Sequence, residues 1–171
     1  MAQPALHSWA AGEGLRLSKH AADRADPEPK ALAGYGLWLP AREQMLLRFV
    51  AGRPVSAVTC AFLAWVTARL AADRVRVLVL IWDNASWPIS REVRGWIKAH
   101  NRRVKAEGGC RLLVCRLPRK SPWLNPIEPK WAHGQRAVVE PARKLGATEL
   151  KQRLCDHYRC QLLQPLAQQV A

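Results

Sequence analysis

The sequence predicts an α/β fold in which helices flank a mixed β-sheet, and three features of the chain predict it. The first is a continuous apolar run at residues 77–82, which is typical of a strand buried on both faces of a sheet. The second is the alternation of such strands with segments of helical periodicity after residue 56. The third is an apolar content of 49% in 171 residues, enough for one core but short for two domains.

The first half of the chain predicts a hairpin followed by a helix. Residues 1–30 are poorly patterned. Residues 31–39 and 44–50 read as two antiparallel strands, and two glycines in the first strand indicate a bulge or a close backbone approach. A helix begins near Ser56. Its apolar residues fall at helical spacing, so one face is expected to pack on the sheet: Val58, Phe62, Trp65, Val66 and Leu70.

The apolar run at residues 77–82 continues directly into Asp83 and Asn84. An acid at this point lies where the strand leaves the core, at the rim of the sheet where ligands usually bind. Asp83 can equally turn the chain or cap the following helix. On these residues alone, both interpretations of Asp83 stay open.

Ser86 or Ser90 can cap a long helix that runs to about Ala106. His100 falls on the apolar side of this helix, and we interpret it as a packed histidine rather than a ligand or a base. The opposite side carries basic residues at helical spacing: Arg91, Arg94, Lys98, Arg102 and Lys105. An ordinary solvated surface and a surface that binds phosphates are both consistent with this basic stripe.

The segment SPWLNPIEPKW, at residues 121–131, has the residues of a helix start. Asn125 is the predicted N-cap, Pro126 suits the first helical position, and Glu128 completes a capping box. Glu128 therefore has a purely structural explanation. Around this segment the sequence predicts a strand at 110–117, a helix at 148–158 capped by Thr148, and a frayed tail at 160–171.

The excess of 27 Lys and Arg over 13 Asp and Glu gives a net charge of +14. This charge favours a polyanionic partner, with nucleic acid as the leading candidate. Five scattered cysteines do not indicate a secreted disulfide framework, and the spacing of Cys155 and Cys160 fits no common zinc pattern. The sequence shows no signal peptide and no apolar run of membrane-spanning length. We therefore expect a soluble, cytoplasmic protein.

Two of these segments, WDNAS at 82–86 and SPWLNPIEPKW at 121–131, resemble the mariner-like DDE transposases of bacterial insertion sequences. YGLWLP, LLRFVAGRPVSAVT and HNRRVKAEGG resemble the same family, so the resemblance covers most of residues 1 to about 145. It implies a ribonuclease-H-like fold, with a mixed sheet flanked by helices, and a single catalytic domain over residues 1–171. It also implies association with the nucleoid and action on transposon ends and target DNA, usually as a dimer.

The resemblance assigns a role to each matched residue. Asp83 would be the second carboxylate of a catalytic triad and Glu128 the third, and together they would bind a pair of Mg²⁺ or Mn²⁺ ions for DNA cleavage and strand transfer. Asn84 would orient Asp83 or contact a phosphate. The basic residues Arg119, Lys120 and Lys130 would bind the DNA backbone beside the metals. Arg91, Arg94, Lys98 and Arg102 are further predicted DNA contacts, from the charge pattern of the basic stripe rather than from the resemblance.

The chain departs from this family at two points. The family's first catalytic Asp lies on a first strand ahead of the residues that match AQPALHSW, and Met1 stands almost at that point. Pro88 stands where many relatives carry a histidine. We therefore expect an N-terminally truncated domain that lacks the first strand, leaves unpaired edges at residues 35–39 or 77–82, and has weak or no strand transfer alone.

Two other functions are consistent with the same residues. The chain can be a non-catalytic, basic DNA-binding remnant that keeps the positive surfaces of the fold without its chemistry. It can also be a self-contained nuclease that recruits another acid, such as Asp26, although that residue lies in a Pro-containing loop.

Overall fold

The computed structural model of the protein describes residues 32–82, 90–118, 121–138 and 145–167, and the backbone alone of residues 7–10 and 13–16. These residues form an α/β fold, which confirms the predicted class. The strands pair as separate two-stranded sheets, β1 with β2, β3 with β4, and β5 with β6. The elements in chain order are β1 (His7–Ala10), β2 (Glu13–Arg16), β3 (Gly34–Leu39), β4 (Gln44–Phe49), α1 (Ser56–Ala72), β5 (Val77–Trp82), α2 (Arg91–Glu107), β6 (Arg111–Arg116), α3 (Glu128–Val138) and α4 (Ala147–His157).

The predicted antiparallel hairpin of β3 and β4 is confirmed, and helices cover both of its faces. Leu46 of β4 belongs to a core that α1 shares with β5, β6 and α2. Met45 and Leu47 point to the opposite face, where Trp131 of α3 and Leu154 of α4 complete a second core. The period-2 alternation of a strand therefore lets one hairpin hold the two cores together.

Strand β5 pairs in parallel with β6, but the expectation that it is buried on both faces is wrong. Leu78 is only 8% exposed, whereas Val77, Val79 and Ile81 are 44%, 59% and 42% exposed. The reason is the placement of the helices, because α1 and α2 cover one face of this sheet while α3 and α4 pack on the hairpin instead.

Helix α2 begins after Ser90, whose hydroxyl accepts a hydrogen bond from the Val93 backbone N–H at 3.1 Å, so Ser90 is the cap. His100 is a packed histidine, as expected. It is buried, its ring stacks on that of Trp96, and its Nε2 donates to the carbonyl oxygen of Cys110 at 2.9 Å. The adjacent Asn101 closes the outer edge of β6.

The side-chain amide of Asn101 pairs with the backbone of Leu112 as a neighbouring strand would. Its Nδ2 donates to the Leu112 carbonyl oxygen at 2.8 Å, and its Oδ1 accepts from the Leu112 N–H at 2.9 Å. Leu112 is buried, so both of its backbone groups would otherwise lack a partner. Asn101 thereby satisfies this edge without a further strand.

Replacing Asn101 by Ala is expected to lower the free energy of unfolding by about 1–3 kcal/mol, because the Leu112 N–H and carbonyl oxygen lose their partners. Urea denaturation measures the change. Lys105→Ala, at an exposed position on the same helix, is the matched control and should change stability by less than about 0.5 kcal/mol. Equal effects of the two substitutions would contradict the edge-closing role of Asn101.

The carboxyl-terminal segment closes the outer edge of β4. The Leu166 N–H donates to the Phe49 carbonyl oxygen and the Ala51 N–H donates to the Leu166 carbonyl oxygen, both at 2.7 Å. The Arg48 guanidinium also donates to the Gln164 carbonyl oxygen at 2.7 Å. The tail predicted to fray from residue 160 is therefore anchored as far as Leu166, and residues 168–171 lie outside the described residues.

Helices α3 and α4 contact each other through Tyr158. Its hydroxyl donates to the Lys130 carbonyl oxygen at 2.7 Å, and its ring meets the Trp131 ring edge-on at a centroid distance of 5.8 Å. The N-cap of α4 is Gly146, so the prediction that Thr148 caps this helix is wrong. Among the described residues, no helix has the length and apolar character needed to cross a membrane.

Candidate active site

A groove of about 360 Å³ lies between the hairpin and the parallel sheet. Its two walls are β3 and β5, and its floor is one face of α1, where the buried residues Phe62 and Val66 line it. The start of α3 forms a further boundary through Asn125, Ile127, Glu128 and Trp131. The predicted motif at residues 121–131 therefore lies directly against the space between the two sheets.

Glu128 is the first residue of α3, and Asn125 stabilises the turn that precedes this helix. The Asn125 side chain is buried; its Oδ1 accepts from the Ile127 N–H at 3.4 Å, and its carbonyl oxygen accepts from the Glu128 N–H at 3.1 Å. The helix thus begins two residues later than the sequence predicts, within the usual uncertainty of a helix boundary.

The Glu128 carboxylate is half-buried, lines the groove, and makes no hydrogen bond or ion pair with the residues that the structure describes. The predicted capping box needs a bond from this carboxylate back to the Asn125 N–H. The described residues show no such bond between Glu128 and Asn125, so the capping-box prediction for Glu128 is wrong. The carboxylate is available to bind a ligand from the groove.

Asp83 and Asn84 lie outside the described residues, as does Pro88. The last described residue of β5, Trp82, lines the groove together with Glu128. The chain therefore leaves β5 beside the same groove that Glu128 borders. The meeting of the Asp83 and Glu128 carboxylates stays a prediction.

The groove floor also holds a polar pair that the sequence does not indicate. The Tyr35 hydroxyl of β3 lies 2.7 Å from the Thr59 hydroxyl of α1, and Thr59 in turn donates to the Val55 carbonyl oxygen at 3.3 Å. Burial raises the pKa of Tyr35, so this hydroxyl stays protonated and acts as a hydrogen-bond donor. The sequence indicates this pair only indirectly, through the predicted hairpin that packs β3 against α1.

The sequence profile of the DDE superfamily endonucleases matches residues 50–149, which is more than half of the chain. This chain belongs to the DDE superfamily endonucleases. No match to the chain was found among curated proteins or among solved structures. DDE superfamily endonuclease domains have a ribonuclease-H-like fold, and the α/β organisation described above is consistent with it. The matched range contains Asp83, Glu128 and every element from α1 to α3.

DNA is the substrate that membership of the DDE superfamily endonucleases suggests, and the basic stripe of α2 contains predicted DNA contacts. All five side chains of the stripe are exposed, and none forms an ion pair with a described residue: Arg91, Arg94, Lys98, Arg102 and Lys105. The predicted DNA contacts Arg119 and Lys120 lie outside the described residues. Lys130 is half-buried, with its ammonium 4.4 Å from the centroid of the Trp38 ring, so part of its charge interacts with an aromatic face.

DDE superfamily endonucleases typically use divalent metals, and Glu128 is the predicted metal ligand that lies among the described residues. Among the described residues, no three His, Cys, Asp or Glu side chains form a group that could hold a metal ion. Cys155 of α4 and the nearby Cys160 pack in the second core, where burial raises the pKa of Cys155 and raises that of Cys160 to about 12. Both thiols are therefore neutral at physiological pH and are poor metal ligands.

Proposed function

We propose that this chain is a catalytic domain of a mariner-like DDE transposase of a bacterial insertion sequence, with Asp83 and Glu128 as two of its metal-binding carboxylates. The observation that carries this proposal is the free, half-buried carboxylate of Glu128, which borders the groove within the range matched by the family. A carboxylate is costly to bury without a partner, and a bound divalent cation supplies one.

In this proposal each residue has a separate task. Asp83, the residue that follows β5 in the sequence, and Glu128, the first residue of α3, would each contribute carboxylate oxygens to the metal ions. Asn84 orients the Asp83 carboxylate or contacts a phosphate, and Lys130 adds positive potential beside α3. A bound pair of Mg²⁺ or Mn²⁺ ions supplies activation of the attacking oxygen and stabilisation of the leaving oxygen in phosphodiester chemistry.

The chemistry is incomplete with these two acids alone. No acid in residues 1–30 stands at the end of an apolar run, so the sequence offers no clear third carboxylate. Two carboxylates would then face four positive charges from a pair of divalent ions, so the residues that would hold the ions would neutralise only half of that charge. We therefore propose weak or no strand transfer by this chain in isolation.

The basic stripe of α2 is the proposed surface for the DNA backbone. Exposed cations spaced along one helix face neutralise phosphates without reading sequence, and each neutralised phosphate adds to the salt dependence of binding. The second candidate function is a non-catalytic DNA-binding remnant. Both it and the proposed transposase would bind the DNA backbone through this stripe. The side chains of the stripe are exposed and form no ion pair with the residues that the structure describes, which favours both functions.

The double substitution Arg91→Ala with Arg94→Ala is expected to weaken binding to duplex DNA similarly for all sequences and to reduce the slope of log K against log[salt] by about 2, close to one per phosphate contact. Fluorescence anisotropy over a salt series measures both quantities. The charge-matched control is Arg53→Ala with Arg69→Ala, at two exposed positions outside α2.

If the control pair lowers the slope as much as the stripe pair, DNA binding comes from diffuse charge and the proposed surface is wrong. Divalent-metal binding then separates the two candidate functions. A chain that binds DNA but no Mg²⁺ or Mn²⁺ is the non-catalytic remnant, whereas metal binding that depends on Asp83 and Glu128 identifies the transposase site.

A further inference from the structure

Trp123 is the most exposed large apolar side chain among those that the structure describes, at 75%. Within the described part of the chain, no other ring and no cation contacts its indole. An aromatic side chain of this size ordinarily contributes to a core. The five other tryptophans whose side chains are described all pack against one of the two cores: Trp38, Trp65, Trp82, Trp96 and Trp131.

The backbone holds this exposed ring close to Glu128. Trp123 lies in a single 3₁₀ turn, in which the Leu124 N–H donates to the Ser121 carbonyl oxygen at 3.1 Å. The next residue, Asn125, is buried and stabilises the turn before α3. Glu128 follows Trp123 by five residues, which span at most about 18 Å even when fully extended. The ring therefore lies within a few nucleotides of a DNA phosphate bound at Glu128.

The indole of Trp123 is suited to stack on a nucleobase. Residues 125–128 line the groove but Trp123 does not, so its ring stays open to solvent outside the groove. Every base has a π-face that can stack on an aromatic side chain, but in a duplex the neighbouring base pairs cover both faces. An indole covers about 150–250 Å², whereas a protein interface takes about 800 Å² from each partner. One unpaired base is therefore the ligand that fits this ring.

We propose that Trp123 stacks on an unpaired base of the DNA, beside the phosphate that is bound at Glu128. This inference rests on the proposed DNA substrate and narrows it to DNA that has unpaired nucleotides at the reacting site. The basic stripe and Trp123 then have separate tasks. The cations of the stripe neutralise phosphates whether or not the bases are paired, whereas the indole binds only a base whose face is free.

The test compares two DNAs that carry the same phosphates and differ only in their bases. Each is a duplex of about twenty base pairs with a single-stranded overhang of about four nucleotides, and the overhang carries either adenines or abasic sugars. Fluorescence anisotropy measures both affinities for the full chain in the presence of EDTA, so that no metal ion is needed. The unmodified chain is expected to bind the adenine overhang at least about fivefold more tightly than the abasic one.

On the protein, Trp123→Ala should reduce the affinity for the adenine overhang by at least about fivefold and leave that for the abasic overhang unchanged. Trp123→Phe keeps an aromatic face and should retain most of the preference. Leu124→Ala is the matched control, because Leu124 is the exposed neighbour and has no aromatic ring. A 2-aminopurine in place of one adenine gives a second measurement, since its fluorescence should fall on stacking with Trp123 and stay high with Trp123→Ala.

The stacking role of Trp123 is overturned if the unmodified chain binds the two overhangs equally or binds neither. It is also overturned if Trp123→Ala weakens binding to both overhangs by the same factor. A chain that prefers the adenine overhang but binds no Mn²⁺ keeps the stacking role and loses the proposed catalysis. A chain that binds Mn²⁺ without this preference keeps the proposed catalysis and loses the stacking role.

Discussion

The substitution Glu128→Gln is expected to weaken Mn²⁺ binding by more than about tenfold, because ligand-supporting contacts alone are worth about 10–100-fold and this change removes a direct ligand. Glutamine keeps the size of the side chain and removes its charge. The Glu128 carboxylate has no protein partner among the described residues, so its loss should cost the fold little. Asp83→Asn is expected to have an effect of the same size.

Isothermal titration calorimetry with Mn²⁺ measures these affinities, and the unfolding temperature without metal checks the fold. Glu92→Gln is the matched control, since Glu92 is an exposed acid in the first turn of α2 and its substitution changes the net charge by the same amount. If Glu128→Gln binds Mn²⁺ as tightly as the unmodified chain does, Glu128 is not a metal ligand. If the unmodified chain binds no divalent metal, the DNA-binding remnant is the better function.

The substitution Gly36→Ala is expected to lower the free energy of unfolding by about 1–3 kcal/mol through overpacking. A Cβ atom at this position would lie 2.3 Å and 2.7 Å from two ring carbons of Trp131, and 3.3 Å from Cδ1 of Ile127. Trp131 packs in the core between the hairpin and α3, so its ring has little room to move. Guanidinium denaturation measures the loss.

Gly34→Ala is the control for this effect, because Gly34 lies two residues away on the same strand and the same face. A Cβ there would meet its nearest neighbour, the Arg48 carbonyl oxygen, at 3.4 Å. This is an ordinary contact, and a smaller unfolded-state entropy should make the change neutral or slightly stabilising. Equal destabilisation by both substitutions would show that strand flexibility, rather than the Trp131 contact, requires the glycine.

The Gly36 contact also links packing to the candidate site. Trp131 lies one turn after Glu128 on α3, so a shifted indole ring moves the start of the helix. We therefore expect Gly36→Ala to reduce Mn²⁺ affinity as well as stability, whereas Gly34→Ala should leave both unchanged. The two glycines that the sequence marks as a close backbone approach thus have different roles, and only the Trp131 contact distinguishes them.

Local sequence patterns predicted most elements of the fold. The hairpin, α1, α2 with its Ser90 cap, and the packed role of His100 follow from periodicity and capping, which depend on residues close together in the chain. The motif at residues 121–131 likewise places Glu128 at a helix start. These features need no knowledge of which elements become neighbours.

The sequence by itself determined the order of strands and helices, the positive charge and the acids that carry the proposed chemistry. Tertiary structure alone decided that α3 and α4 pack on the hairpin, so that Val79 and Ile81 stay exposed despite lying in a continuous apolar run. It also decided that Asn101 and Leu166 close the outer strand edges while the inner edges border a groove. The physical reason is that apolar residues specify burial but not the surface that buries them, which depends on contacts between distant parts of the chain.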